Sequence, residues 1–194
     1  RLGVVLRDFI RLGDGQLLGE HYVPLGGADM GAVMADLRRL QPDVVLSTVS
    51  GESNQALFDA LVAAELADLP LLSLGASEPE MQAFGGGRLG RHFTAWSYLQ
   101  RQPGAAGEAA PAGDPAVSAY VGVRLWAAAV REAGSPQVEA VNTNVLHQSV
   151  AVPQGSAAMD SRSRHLWRPL RIAQVRPGGR LDEVLLLPGY IRPE

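Results

Sequence analysis

The stretch that decides the fold is "DVVLSTVSGESNQALFDAL", residues 43–61. Its first part is apolar without alternation, which is typical of a strand buried on both faces of a parallel sheet. Gly51 interrupts the run, and a helical pattern begins with "NQALFDALVAAEL". In open sheets built from such units, ligands bind where the carboxyl end of a strand leads into a helix. The turn at Gly51 is therefore a candidate site.

The flanking segments repeat the same alternation of strand and helix. The segment "DMGAVMADLRRLQ" precedes the central strand as an amphipathic helix. After it come the strand "LPLLSLGA", a short helix over residues 77–84 and the strand "HFTAWSYL". This βαβαβ order predicts an α/β fold with a parallel sheet and helices on both faces. Near the start of the chain, "LLGEHYVPL" is predicted as one more short strand.

The second half of the sequence has a different character. Residues 101–115 are rich in Ala, Gly and Pro and indicate an exposed linker. A long helix, "AVSAYVGVRLWAAAVREAG", follows, and Trp126 on its apolar face is expected in the core. The strand-like runs "HLWRPLRIAQV" and "RLDEVLLL" are joined by Pro177-Gly178-Gly179, a hairpin signal. We therefore divide the chain into residues 1–98 and residues 99–194.

Composition excludes several functions. Hydrophobic residues make up 46% of the chain and charged residues 19%, as in a soluble globular protein. A net charge of −3 argues against a nucleic-acid partner, and no apolar run reaches the ~18 residues of a membrane span. The absence of cysteine excludes disulfides, thiolate zinc sites and cysteine nucleophiles. The chain opens inside a helical pattern without methionine, so we expect a processed product or a piece of a longer protein.

Ser53 raises the question of catalysis, because Gly51-Glu52-Ser53 resembles the start of a nucleophile elbow. That motif, G-x-S-x-G, needs a second glycine where this chain has Gln55. The missing glycine favours Ser53 or Asn54 as a helix cap or ligand contact. An α/β serine hydrolase that uses Ser53 stays open as an alternative.

Metals and cofactors are not predicted. The four histidines are dispersed, no H-E-x-x-H occurs, and the glycine runs do not match phosphate-binding motifs. Trp96 and Tyr98 lie two residues apart on the predicted strand, so both project to one face. They are either half-buried sheet residues or the wall of a small-molecule cleft.

An ordered set of segments resembles the type I periplasmic binding proteins. The set begins with "LGEHYVPLGGADMGAVMADLRRLQPDVVLSTVSGESNQALFDAL", "LPLLSLGASEPEM" and "HFTAWSYL", and ends with "YVGVRLWAAAVREAGS", "VPQGSAAMDSRSRHLWRPLRIAQVRPGGRLDEV" and "YIRPE". Within that family, "VSGESN", "AWSYL", "YVGVRLW" and "HLWRPLRI" are similar to the urea-transporter branch of receptors. "SLGASEPEM" is also similar to the amide sensor of the amidase operon.

The resemblance implies a fold of two α/β lobes that close on a ligand. Residues 1–98 would be the second lobe, and residues 99–194 a crossover followed by a part that returns to the first lobe and ends in a hairpin. The large amino-terminal portion of the family's first lobe has no counterpart here, so we expect the carboxyl-terminal half. By position, the ligand-binding residues would be Thr48, Val49, Ser50, Gly51, Gly75, Ala76, Ser77, Glu78, Trp96 and Tyr98.

The resemblance also implies a function without catalysis. The expected protein is a receptor of an ABC transporter that binds urea, a short-chain amide or a similar small polar ligand. It would deliver that ligand to an ABC permease and would be periplasmic or otherwise exported. The alternative within the family is a cytoplasmic amide-sensing regulator of the same fold.

Overall fold

The described residues, 2–99, 113–152 and 155–192 of a computed structural model, contain six α-helices and eight strands. The helices are α1 (Leu2–Leu12), α2 (Gly31–Leu40), α3 (Ser53–Ala63), α4 (Glu78–Ala83), α5 (Gly113–Ala133) and α6 (Val138–Asn144). The strands are β1 (Val45–Ser47), β2 (Leu71–Ser73), β3 (His92–Trp96), β4 (Ser149–Val152), β5 (Gly155–Met159), β6 (Leu166–Trp167), β7 (Arg171–Val175) and β8 (Leu181–Leu186). The predicted linker lies almost wholly outside the described residues.

Five strands form the main sheet, in the order β1-β2-β3-β7-β8. Strands β1, β2 and β3 run parallel, as the strand–helix alternation predicts. The hairpin of β7 and β8 joins this sheet antiparallel to β3. The predicted α/β fold is confirmed, and the hairpin makes its sheet mixed rather than purely parallel.

The main core fills the space between this sheet and its helices. Its buried members come from α2, α3, α4 and the strands, because each helix turns its apolar stripe toward the sheet. They include Met34, Phe58, Leu61, Leu71 and Met81. The carboxyl ends of β1, β2 and β3 are thereby held side by side at one edge of the sheet.

A smaller, three-stranded sheet of β4, β5 and β6 packs with α5 around a second core. Helix α5 buries residues at four-residue spacing, including Val117, Val121 and Leu125, so a single stripe of the helix is covered. The chain passes from one sheet to the other after β3 and again between β6 and β7. A third segment, after β8, pairs with the second passage through an antiparallel bridge between Arg168 and Ile191. The division of the chain into lobes at residue 98 stays a prediction.

Three local predictions are wrong. Residues 17–25 form no strand; Glu20 in that segment instead accepts a hydrogen bond from Arg7 of α1 at 2.7 Å. Trp126 is 52% exposed, because it lies off the narrow stripe that α5 buries. The run "HLWRPLRIAQV" is not one strand, since Pro169 lacks the N–H that a ladder needs and separates β6 from β7.

His92 of β3 is fully buried and links three segments of the main sheet. Its Nδ1 lies 3.0 Å from the Gly86 carbonyl oxygen, so this nitrogen carries the proton and donates. Its Nε2 lies 2.8 Å from the Ser73 hydroxyl, which therefore donates to the imidazole. Burial lowers the pKa of His92, and the bond to Gly86 opposes this only in part. The fold holds a neutral imidazole, since protonation would replace the acceptor that Ser73 uses.

We predict that His92 makes the protein acid-sensitive. The folded-state pKa lies below the unfolded value of ~6.5, so the unfolded chain takes up the proton first as the pH falls. The stabilisation is present above that value and is lost as the pH falls below it, by at most ~1.4 kcal/mol per pH unit for one proton. Urea denaturation from pH 7.5 to pH 5 would measure the loss.

The matched variants are His92→Gln and His147→Gln. The first should flatten the pH dependence of the unfolding free energy, whatever it does to stability at neutral pH. The second removes an exposed histidine and should leave the wild-type dependence in place. Equal slopes for wild type and His92→Gln would contradict the assignment.

Candidate functional site

The turn after β1 carries the chain directly into α3. Gly51 adopts φ of +64°, a left-handed conformation that glycine accepts without steric cost. Ser53 begins the helix, is 2% exposed and donates a hydrogen bond from Oγ to the Pro24 carbonyl oxygen at 3.4 Å. Ser53 is thus a buried tie to the preceding loop.

Asn54 joins the loops that follow β1 and β2. Its Nδ2 donates to the Val49 carbonyl oxygen at 2.9 Å and lies 3.5 Å from the Gly75 carbonyl oxygen. The two loops approach so closely that a Cβ at Gly75 would collide with the Val49 carbonyl oxygen. A glycine is needed at position 75 because there is no room for a Cβ, and at position 51 because the backbone adopts a positive φ.

The loop after β2 is also tied to β3. Trp96 donates from Nε1 to the Ala76 carbonyl oxygen at 3.0 Å, and Thr94 donates from Oγ1 to the Ser73 carbonyl oxygen at 2.9 Å. Ser77 opens α4 and donates to Glu80 from both its backbone N–H, at 2.8 Å, and its hydroxyl, at 2.7 Å. These bonds make the edge of the sheet rigid.

The ten predicted ligand-binding residues therefore have different surroundings. Thr48 and Ser50 are exposed at the edge, whereas Ser77 and Glu78 are buried and the Ser77 hydroxyl is already bonded. Trp96 is half-buried with its indole N–H bonded. The backbones of Val49, Gly75 and Ala76 lie at the loop contact, and Gly51 lies in the turn, where its carbonyl oxygen accepts from the Asn54 N–H at 3.0 Å. Tyr98 lies apart from these, just beyond β3.

A small cleft, partly open to solvent, lies where the chain passes between the two sheets. Tyr98 lines it, and is the one predicted site residue that does. The other lining residues are Ser97, Val117, Val121, Val152, Ser156, Ala157, Arg168 and Pro169. Burial, and then the negative charge of Glu78, raises the pKa of Tyr98, so its phenol keeps the proton at neutral pH.

An ion pair that sequence reasoning missed lies at the same place. Arg168 donates from Nη1 to the Asp114 carboxylate at 3.3 Å and to the Ser118 hydroxyl at 2.8 Å. The Ser97 hydroxyl donates to the other oxygen of Asp114. The Arg-Pro pair at 168–169 is the sequence feature that could have drawn attention to Arg168, because the residue before a proline is held extended and often lies at a turn of the chain. Nothing in the sequence, however, pairs it with Asp114.

Asp160 fixes the loop that leads to β6. Its carboxylate accepts hydrogen bonds from the backbone N–H of Ser163 at 2.8 Å, the backbone N–H of Arg162 at 3.0 Å and Trp167 Nε1 at 3.2 Å. These bonds, that of the Ser163 backbone foremost, lower the pKa of Asp160 to about 2. Since Trp167 directly precedes Arg168, this loop helps to fix where Arg168 enters the cleft.

The described part of the chain has neither a metal-binding cluster nor a membrane-spanning helix. Residues 2–99, 113–152 and 155–192 contain no group of three or more His, Cys, Asp or Glu side chains arranged to hold a metal ion. In the same residues, no helix is long and apolar enough to cross a membrane.

Comparison with known proteins identifies the fold. The family model described as a periplasmic binding protein domain matches residues 2–194. No curated protein matches the sequence significantly. The resemblance to type I periplasmic binding proteins is thereby confirmed at the level of family and fold, while the urea and amide branch stays a prediction.

Solved structures with the same fold include three solute-binding proteins. One, from an ABC transporter of R. palustris in complex with benzoate, is 20% identical with a TM-score of 0.78 over 95% of this chain and 54% of that chain. A second from R. palustris, in complex with 4-hydroxybenzoate, is 18% identical with a TM-score of 0.76 over 96% and 56%. A leucine binding protein from Thermotoga maritima is 18% identical with a TM-score of 0.72 over 94% and 54%. The chain thus spans about half the length of these proteins.

We predict that Gly75→Ala destabilises the protein by roughly 1–3 kcal/mol, the usual cost of forcing extra volume into a packed region. The new methyl group would meet the backbone of Val49, which cannot move without disturbing the bond to Asn54. Denaturant unfolding monitored by circular dichroism would measure the change.

Gly122→Ala in α5 is the matched substitution. A Cβ there meets no atom within 4 Å, and the helical backbone favours alanine over glycine by up to ~1 kcal/mol. The same chemical change should therefore stabilise the protein at this position. Loss of stability in both variants would contradict the close loop contact as the cause.

Proposed function

Because the chain belongs to the periplasmic binding protein domain family, we propose that it acts as a solute-binding protein of an ABC transporter. The observation that carries the proposal is the small cleft at the passages between the two sheets. Its lining combines apolar side chains, such as Val117 and Val121, with a few polar ones, such as Ser156 and Arg168, which is the usual make-up of a small-molecule site.

Ligand capture would work by closure of one sheet unit against the other. Residues 97–98 and 168–169 line the cleft and also belong to the segments that connect the two sheets. A ligand that contacts these segments and both walls would bind the closed arrangement more tightly than the open one. Such differential affinity is what shifts the population toward closure.

The proposed ligand is urea, a short-chain amide or a similar small polar molecule. This class comes from the sequence resemblance and is supported by the donors and acceptors in the cleft: the hydroxyls of Ser97, Tyr98 and Ser156 and the guanidinium of Arg168. The solved relatives named above are described with benzoate, with 4-hydroxybenzoate or as leucine binding. Carboxylate ligands are therefore the class to be tested against amides.

The edge of the main sheet is the second part of the proposed site. Thr48 and Ser50 offer exposed hydroxyls there, and the Asn54 side chain is bonded to Val49 in the loop that carries them. We propose that the predicted residues other than Tyr98 form the wall that a closing lobe meets, while Tyr98 contacts the ligand from the cleft. An ABC permease would be the partner that accepts the ligand, and the periplasm or another exported location would be the place of action.

The two alternatives differ in what the structure offers them. A cytoplasmic amide sensor would use the same cleft, so the ligand alone does not separate it from a transport receptor. A serine hydrolase would need an accessible nucleophile beside a base. Ser53 is 2% exposed and, within the described residues, bonds to a backbone carbonyl rather than a histidine. The geometry thus supports binding without catalysis.

We predict that urea or acetamide stabilises the protein against heat more than leucine or benzoate does. A ligand that binds the folded state alone at a hundred times its Kd adds ~2.7 kcal/mol of stability. Ser156→Trp should abolish the effect, because the indole would occupy the cleft. Ser149→Trp, at another exposed strand position in the same sheet, should retain it.

Two outcomes would contradict the proposal. One is no stabilisation by any of the four compounds in the wild type. The other is hydrolysis of small esters that disappears in Ser53→Ala, which would restore the hydrolase hypothesis. Equal loss in both tryptophan variants would remove the cleft from the binding model.

A further inference from the structure

The guanidinium of Arg168 has hydrogen-bonding capacity to spare at the cleft. Its side chain is 23% exposed, and Arg168 is one of the cleft-lining residues. Only Nη1 has hydrogen-bond partners among the described residues, Asp114 and Ser118. An arginine carries five N–H donors. Nε and Nη2 are thus left with three donors that no described residue accepts.

The backbone holds Arg168 in one place. Its carbonyl oxygen accepts a hydrogen bond from the Ile191 N–H at 2.8 Å, in the bridge between two of the connecting segments. Pro169 follows and keeps the preceding residue extended. With the backbone held and Nη1 bonded to Asp114 and Ser118, the side chain loses little freedom when a ligand binds, which is the condition for a specific contact.

Asp114 already balances the charge of Arg168. The Asp114 side chain is 9% exposed. One of its oxygens accepts a hydrogen bond from Arg168, and the other accepts one from the Ser97 hydroxyl. The pair is therefore neutral as a unit, although the guanidinium keeps its outward donors. A carboxylate placed on those donors would share the guanidinium with a second, mostly buried carboxylate and would lose its own hydration.

We propose that Arg168 binds the oxygen acceptor of the ligand and that Asp114 sets the preference for a neutral ligand over a carboxylate. This rests on the proposed function and deepens it. A carbonyl oxygen of an amide or urea accepts from the planar fork of the guanidinium without adding charge. Arg168 and Asp114 are then the specificity-determining pair of the cleft.

The test uses neutral and anionic ligands of matched shape. Acetamide and acetate, and benzamide and benzoate, are titrated calorimetrically into wild type, Asp114→Asn and Arg168→Lys. Arg162→Gln is the control, because Arg162 is exposed and lies outside the cleft lining. Thermal unfolding of each variant verifies that it is folded before titration.

Three results are expected. Wild type and Arg162→Gln bind the amide of each pair at least about tenfold more tightly than the acid. Asp114→Asn, which frees the positive charge of Arg168, raises the ratio of acid affinity to amide affinity at least about tenfold over that of wild type. Arg168→Lys keeps the charge but not the fork, so amide binding falls about tenfold or more.

Failure of this inference is distinguishable from failure of the proposed function. Amide binding that survives Arg168→Lys, or a ratio of acid affinity to amide affinity that does not rise in Asp114→Asn, overturns the specificity pair and leaves a solute-binding protein. Preferential acid binding by the wild type also overturns it. No binding of any of the four compounds by a folded wild type overturns both.

Discussion

The ion pair between Asp114 and Arg168 joins segments that no single sheet holds together. Asp114 begins α5, and Arg168 lies in the passage from β6 to β7, 54 residues further along the chain. Ser97, just beyond β3, donates to the same carboxylate. Removing one partner of a mostly buried pair typically costs ~3–5 kcal/mol, because the other charge is left without compensation. The relative placement of the two sheets, and hence the shape of the cleft, depends on this contact.

The two sheets differ in how strongly the contacts of each one stabilise it. The main sheet is packed by several helices and has tight side-chain ties at its edge, from Asn54, Trp96 and Thr94. The smaller sheet has two- to five-residue strands and one long helix that covers it along a single stripe. Since small cores contribute little stability, polar contacts between the parts carry more weight there.

The sequence predicted the units that are contiguous. Strand β1, the Gly51 turn and α3 were recoverable because an apolar run, a glycine and a helical pattern follow one another directly. The pairing of β7 with β3 was not, since a hairpin more than seventy residues away leaves no local signal for the strand it joins. Trp126 was misplaced for a related reason: α5 is apolar on more than one face, and periodicity alone does not tell which face this chain covers.

The residues of the candidate site likewise fall into those that the sequence indicated and those that it did not. Tyr98 was assigned to the ligand site by the family resemblance, and its strand spacing left it open between a sheet residue and the wall of a cleft; it lines the cleft. Arg168, Asp114 and Ser97 carry no motif, and their proximity arises from folding. A charged pair whose members are distant in sequence can be recognised only when the path of the chain between the two sheets is known. Glu78, in contrast, was among the predicted site residues, and its negative charge contributes to the raised pKa of Tyr98.

The molecule does contain a serine and a histidine at hydrogen-bonding distance, at a place the motif did not indicate. Ser73 Oγ and His92 Nε2 are 2.8 Å apart, and the Gly86 carbonyl orients the ring as a third group would in a catalytic site. Both residues are 0% exposed, on adjacent strands inside the main sheet. A nucleophile needs space for a reacting carbonyl and for donors that bind its oxyanion, and a packed sheet offers neither. A serine and a histidine at this distance are also found in hydrolase active sites. Here no substrate can reach them, so the hydrogen bond between them stabilises the sheet.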